Sequence, residues 1–275
     1  MPTLDQSGRS GRETYSTTGQ KGRSAARRRA CPYGSLVPVT LDTYAAVLFD
    51  LDGVLTPTAE VHMRAWDEMF NQFLAERGGQ QPYTDADYFA HVDGKPRYDG
   101  VRDMLATRDI TLPEGSPDDP PEAETVCGLG NRKNALFSAI LETDGVQPYP
   151  GSVHALDRLR ERSVPVAVVS SSRNAPAVLA AAGLEERFDV VVDGAVAAAD
   201  GLAGKPAPDT FVAAAQRLGV APGEAVVVED AVSGVAAGRA GSFGLVVGVD
   251  RGVGERALLD AGADVVVSDL AELTP

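Results

Sequence analysis

Cysteine is scarce in this chain: Cys31 and Cys127 are the only two in 275 residues. Two thiols cannot build a disulfide framework, and neither stands at metal-site spacing from other ligands, so the expectation is a reduced, cytoplasmic protein. Long apolar runs are missing too. None approaches the roughly twenty residues that cross a bilayer, so no membrane partner is expected. Arg27-Arg28-Arg29 leads into Ala30-Cys31-Pro32-Tyr33-Gly34 rather than an apolar stretch, which argues against a secretory leader. Positive charge is in short supply, with 25 Lys and Arg against 39 Asp and Glu and a net charge of −14. Residues 1–30 hold seven of those bases against Asp5 and Glu13, so the rest is more acidic still. Such a body argues against nucleic acid as a partner. It also makes any cluster of Lys and Arg within it a pointer to an anionic ligand. Internal repeats are absent.

What is present falls into three stretches. Residues 1–42, rich in Ser, Thr, Gly and Arg without periodicity, are expected to be a disordered basic extension. From Tyr44 onward apolar runs predict strands near 44–49, 165–169, 189–192, 225–228, 244–248 and 264–267. Helical patterns at 152–163, 174–182, 209–218, 232–240 and 254–261 alternate with the later strands. That alternation predicts right-handed crossovers and an α/β, Rossmann-like core with a parallel sheet. The interval from Thr58 to Pro148 breaks the rhythm. It carries helical patterns at 59–77, 85–91, 98–108 and 130–143 and a proline-rich loop at 112–121, and it is too long to be a loop itself. The expected organisation is an α-helical cap, 58–148, inserted into a core formed by 43–57 and 149–275, which suits a chain of this length.

The chemistry is concentrated after the strands. The first ends in Asp50-Leu51-Asp52-Gly53, and strand alternation aims both carboxylates to one side. Paired carboxylates without a neighbouring base need a cation or a proton-transfer task, although the pattern alone also fits a turn and a helix cap. In α/β sheets ligands collect beyond the carboxyl ends of strands. Polar groups recur there: Ser170-Ser171-Ser172-Arg173-Asn174 after the second strand and Glu229-Asp230 after the fourth. Between them Gly204-Lys205-Pro206 sets a lysine in a proline-bounded loop. A carboxylate, a hydroxyl, a lysine and an acidic pair, in that order, are the inventory of aspartyl-phosphate chemistry with magnesium.

These four motifs resemble those of the haloacid dehalogenase (HAD) phosphotransferases, and the resemblance covers residues 44–250. Within that superfamily the cap is most similar to that of the β-phosphoglucomutases. Thr58-Ala59-Glu60-Val61-His62-Met63-Arg64-Ala65-Trp66 resembles their hinge and first cap helix. Gly94-Lys95-Pro96-Arg97 resembles the loop that grips the non-transferring phosphate, and Arg132-Lys133-Asn134 a second cap segment facing the site.

The resemblance implies a HAD-like fold, Mg2+ as cofactor, Asp50 as nucleophile and Asp52 as general acid and base. It implies metal binding by Asp50, the Asp52 backbone carbonyl, Asp230 and Glu229. The transferring phosphoryl group would lie against Ser170, Ser171, Arg173 and Asn174 and be neutralised by Lys205. Gly94, Arg97, Lys133 and Asn134 would hold the sugar and its second phosphate. Thr58, His62 and Trp66 would serve the hinge and cap, with Trp66 read as cap core rather than a sugar platform. For Asp230 the alternative is a helix cap, and for Arg97 a surface arginine. Two positions depart from the pattern: Pro57 replaces a carboxylate at the hinge, and Asp93 replaces a lysine before the glycine of the gripping loop, a loss for which Lys95 is the expected substitute.

The implied reaction interconverts β-glucose 1-phosphate and glucose 6-phosphate through a bisphosphate, so the partners are a sugar phosphate and a sugar bisphosphate. A monomer is expected. The alternatives are a hydrolase of small sugar phosphates and a non-catalytic binding member of the superfamily.

Overall fold

The computed structural model describes residues 40–274, so nearly all of the expected basic extension, and Cys31 with it, lies outside the described residues. Leu41–Thr43 forms a short helical turn with Leu41 fully buried, so packing begins slightly ahead of the expected boundary.

Six short strands form one parallel sheet: β1 Ala46–Phe49, β2 Val166–Val169, β3 Val190–Val192, β4 Ala225–Glu229, β5 Leu245–Val249 and β6 Val265–Val267. Their order across the sheet is β3-β2-β1-β4-β5-β6. Five of the six are valine-rich, and β1, β2, β4, β5 and β6 are buried along their whole length, as expected for strands covered by helices on both faces. Val47 pairs with Val166 on one side and Val226 on the other, which sets β1 between β2 and β4 and brings the carboxyl ends of all three side by side. This is the point where successive connections leave in opposite directions along the sheet, and a crevice opens there.

Helices α1 Thr58–Arg77, α2 Asp85–Asp87, α3 Arg97–Ala106 and α4 Val126–Asp144 all lie between β1 and β2. A π-helical turn, Tyr88–Val92, continues α2. This block has its own apolar core, built on Trp66, Met69, Phe70, Tyr83, Met104 and Leu129, separate from the two clusters on the faces of the sheet. Around the sheet run α5 Pro150–Glu161, α6 Ala175–Ala181, α7 Gly194–Asp200, α8 Asp209–Leu218, α9 Val232–Ala240 and α10 Glu255–Ala261. No described helix is long and apolar enough to cross a membrane.

Two helices differ from expectation. α4 begins four residues before the predicted 130, because the Thr125 hydroxyl caps it by accepting from the Gly128 amide at 2.9 Å, and two glycines in its first turns hide the helical pattern. α7 was not anticipated. Its sequence, Gly-Ala-Val-Ala-Ala-Ala-Asp, carries no apolar stripe, and it is set instead by Asp193, whose carboxylate accepts from the amides of Ala195 and Val196.

Leu48 is wholly buried at the middle of β1. Leu48→Ala is expected to cost about 2–5 kcal/mol of stability, seen in urea unfolding as a lower midpoint with an unchanged slope.

Candidate active site

The crevice is assembled from the loops that follow β1, β2 and β4. Asp50 keeps the sheet pairing through its amide, which donates to the Val228 carbonyl at 2.9 Å, and the chain then turns sharply at Gly53, where φ is +87°. A Cβ at Gly53 would fall 1.8 Å from an oxygen of Asp230, so only glycine lets these two loops meet.

Lys205 comes from the loop before α8 and is 3% exposed. Its ammonium donates to Asp50 Oδ1 at 2.5 Å, Glu229 Oε1 at 2.6 Å and the Val169 carbonyl at 2.9 Å, which uses all three N–H groups. Glu229 accepts in turn from the Ala231 amide at 2.9 Å. Asp230 is also buried and makes no ion pair with a described residue; the N-cap position of α9 is Ala231, so the capping alternative for Asp230 does not hold. Burial raises the Asp50 carboxyl well above its ordinary value, and Glu229 and Asp52 push the same way while Lys205 pulls against them. Asp230 is raised by burial and then by the charges of Asp93, Glu229, Asp50 and Asp52. Three buried core carboxylates therefore lie beside one ammonium that pairs with only two of them, and the cluster is short of positive charge. Among the described residues no three acidic, histidine or cysteine side chains converge tightly enough to chelate an ion, and Lys205 pairs with both Asp50 and Glu229.

Asp52 has different surroundings. Thr58, the first residue of α1, donates to its Oδ1 at 2.5 Å, and Ser170 donates to Oδ2 at 3.3 Å. His62 Nε2 stands 3.4 Å from Oδ1, within ion-pair reach but without hydrogen-bond geometry. The Lys133 ammonium contacts His62 Nδ1, over the faces of Trp66 and Phe137. Burial alone would raise the Asp52 carboxyl. The His62 contact, the Thr58 hydroxyl and the Lys133 charge overcome it and hold the group at about 2. Burial lowers both His62 and Lys133; the Lys133 charge lowers His62 further and the Arg97 charge lowers Lys133, while Asp52 pulls both the other way.

The helical block closes the other side of a cavity of about 610 Å³. Arg97, at the start of α3, donates to Asn134 Oδ1 at 2.6 Å, and Asn174 from the core donates to the same oxygen at 2.7 Å. Arg173 lies on the exposed rim, near enough for its charge to bear on Arg97.

Of the residues expected at the site, all but Thr58, Asn134 and Lys205 line this one cavity; Asn134 reaches it through Arg97 and Asn174, Thr58 through Asp52, and Lys205 through Asp50 and Glu229. Trp66 lines it while stacked on Phe70 within the core of the block. Some details depart from expectation. Lys133, expected to reach the sugar or its phosphate, contacts His62, the Ser171 hydroxyl donates to the Gly94 carbonyl at 2.8 Å, and Lys95, the expected substitute for the missing lysine, pairs with Asp103 at 2.7 Å. Ser233 was not singled out from sequence, yet it donates to the Asp93 carbonyl at 3.0 Å; nothing in the local pattern marks a hydroxyl whose partner lies 140 residues away.

The family model of haloacid dehalogenase-like hydrolases matches residues 44–241. The chain belongs to that family. It is 53% identical over 238 residues to a β-phosphoglucomutase of Mycobacterium bovis, covering 83% of this chain and 90% of that protein. It is 34% identical over 206 residues to a fructose-1-phosphate phosphatase of Escherichia coli, covering 74% and 96%. A crystal structure of a β-phosphoglucomutase from Clostridium difficile superposes with a TM-score of 0.67 at 24% identity, over 84% of this chain and 93% of that one, a likeness of fold. As a member of this family the chain is an enzyme of the phosphotransferase or phosphatase type.

Because the folded Asp52 carboxyl sits near 2, below its ordinary 3.8, its contribution to stability is complete above about pH 4 and fades as the pH falls through 2. Thermal melts should show Asp52→Asn below the wild type at pH 6, with the gap closing towards pH 2.

Proposed function

We propose that the chain interconverts β-D-glucose 1-phosphate and glucose 6-phosphate by way of a glucose 1,6-bisphosphate, with the helical block 58–148 acting as a cap over the core. The observation that carries this reading is Arg97, aimed from the block into the cavity that holds Asp50 and Asp52, in a chain whose relative at 53% identity is a β-phosphoglucomutase. A guanidinium suits a second, non-reacting phosphate because it grips two oxygens at once.

In this reading a carboxylate oxygen of Asp50 attacks phosphorus, the bond from phosphorus to the ester oxygen breaks, and that oxygen receives the proton that Asp52, ionised at rest, has taken from the accepting hydroxyl in the other transfer. The reverse transfer begins when Asp52 removes the proton of the accepting sugar hydroxyl, which then attacks the phosphoryl group on Asp50. Thr58 and the His62–Lys133 pair hold Asp52 in place, and Lys205 neutralises charge beside Asp50. Asp50, Asp230, the Asp52 carbonyl and Glu229 would hold Mg2+: the donors are hard oxygens, and the cluster lacks the positive charge that a divalent cation brings. When bound, the ion supplies charge neutralisation of the phosphoryl oxygens.

Hydrolysis is the second reading, favoured by the 34% identity to a sugar-phosphate phosphatase. The two separate in one assay with β-glucose 1-phosphate, Mg2+ and a trace of glucose 1,6-bisphosphate: glucose 6-phosphate is expected, and release of free phosphate alone would favour the hydrolase. Asp50→Asn should abolish both turnover and acid-stable labelling of the chain by phosphate. Arg97→Ala should lower turnover of the sugar phosphate by roughly a hundredfold while leaving hydrolysis of a simple aryl phosphate nearly unchanged.

A further inference from the structure

The helical block touches the core through the loop between the π turn and α3. Ser233 donates to the carbonyl of Asp93, and Ser171 to that of Gly94. The fit is close on both sides. A Cβ at Gly94 would lie 2.3 Å from the Ser233 hydroxyl and 2.8 Å from Ala231 Cβ, and one at Gly204 would lie 2.3 Å from the Pro96 ring. Two core hydroxyls and two glycines thus clamp the backbone of this loop onto the core.

The clamp also carries the Asp93 side chain into the cavity, alongside Asp230, Glu229 and Asp50. Tyr88 and the Gly94 amide hydrogen-bond to the carboxylate, which burial nonetheless raises to about 7. Asp93 is the strongest like-charged neighbour of Asp230, Glu229 is the strongest like-charged neighbour of Asp93, and Lys205 already serves Asp50 and Glu229. Docking therefore gains hydrogen bonds along the backbone and loses by repulsion at the side chain. A divalent cation among the core carboxylates would reverse the second effect.

We propose that Asp93 makes closure of the helical block over the core conditional on a divalent cation, by bringing a fourth carboxylate to the three that the core supplies. The proposal rests on the Mg2+ site of the preceding section. Linkage then requires the reciprocal effect: closure must tighten cation binding by the same factor by which the cation favours closure.

The test uses the full chain without substrate, measuring amide hydrogen exchange across residues 92–97 with and without Mg2+ and Mg2+ binding by calorimetry. In the wild type Mg2+ should slow exchange in this loop by roughly fivefold or more, the lower end of ordinary coupling between sites. Asp93→Asn keeps the shape and an acceptor for Tyr88; it should be protected without the metal, respond to Mg2+ by less than about twofold, and bind the ion more weakly by the same lost factor. Asp93→Ser should behave alike, which guards against a folding defect in either variant. Equal metal responses in wild type and both variants, with Mg2+ binding intact, would overturn the role of Asp93 and leave the metal site standing. Absence of Mg2+ binding in all three would remove both.

Discussion

An ammonium shut away from water, donating to two carboxylates and a backbone carbonyl, holds the loops after β1, β2 and β4 at fixed distances from one another. Lys205 reaches Asp50 just after β1, Val169 at the end of β2 and Glu229 at the end of β4. Removing either side of a buried pair of this kind typically costs about 3–5 kcal/mol, because the charge left behind has no solvent. The β3-β2-β1-β4-β5-β6 order is what makes the arrangement reachable, since it places those three strand ends next to each other. The same buried cluster remains deficient in positive charge, so the constraint that organises the site also predisposes it to a cation.

Asp50 and Asp52 are two residues apart and yet occupy opposite electrostatic settings. Burial and like charge push Asp50 up; His62, Thr58 and Lys133 pull Asp52 down. Under the proposed reading Asp50 has to be ionised to attack, so Lys205 and a bound cation must offset its burial, while Asp52, ionised at rest, is set to act first as the base. The groups that act on Asp50 come from the sheet and the core loops around it, and those that act on Asp52, apart from Ser170, come from α1 and α4 of the helical block. Under the proposed reading, the position of the block therefore bears on proton transfer more directly than on nucleophilic attack.

The sheet was legible because five of its six strands are wholly buried and read as short apolar runs, and β1, β2 and β4 lead into the polar residues that meet in the crevice. Asp50, Ser170 and Glu229 could be picked out for that reason, and Lys205 by its proline-bounded loop. α7 was not legible, since seven mostly alanine residues carry no periodicity and their helix depends on one aspartate cap. Lys95 and Lys133 show a different limit: sequence marks a base near an anion site, but its partner is chosen by folding, and Asp103 and His62 lie on other turns or other helices. Contacts such as Ser233 with Asp93 exist only once block and core are side by side, and no local pattern encodes them.

The oxygen of Asn134 is shared by Arg97 from the block and Asn174 from the core. It is a neutral acceptor standing where two donors, one of them cationic, already converge. An anionic oxygen arriving at that point needs only to displace one amide to inherit both donors in their final orientation, and exchanging a neutral acceptor for a charged one strengthens each bond. Under the proposed reading Asn134 would serve as a placeholder, holding the guanidinium in position until a ligand that carries more charge takes over its donors.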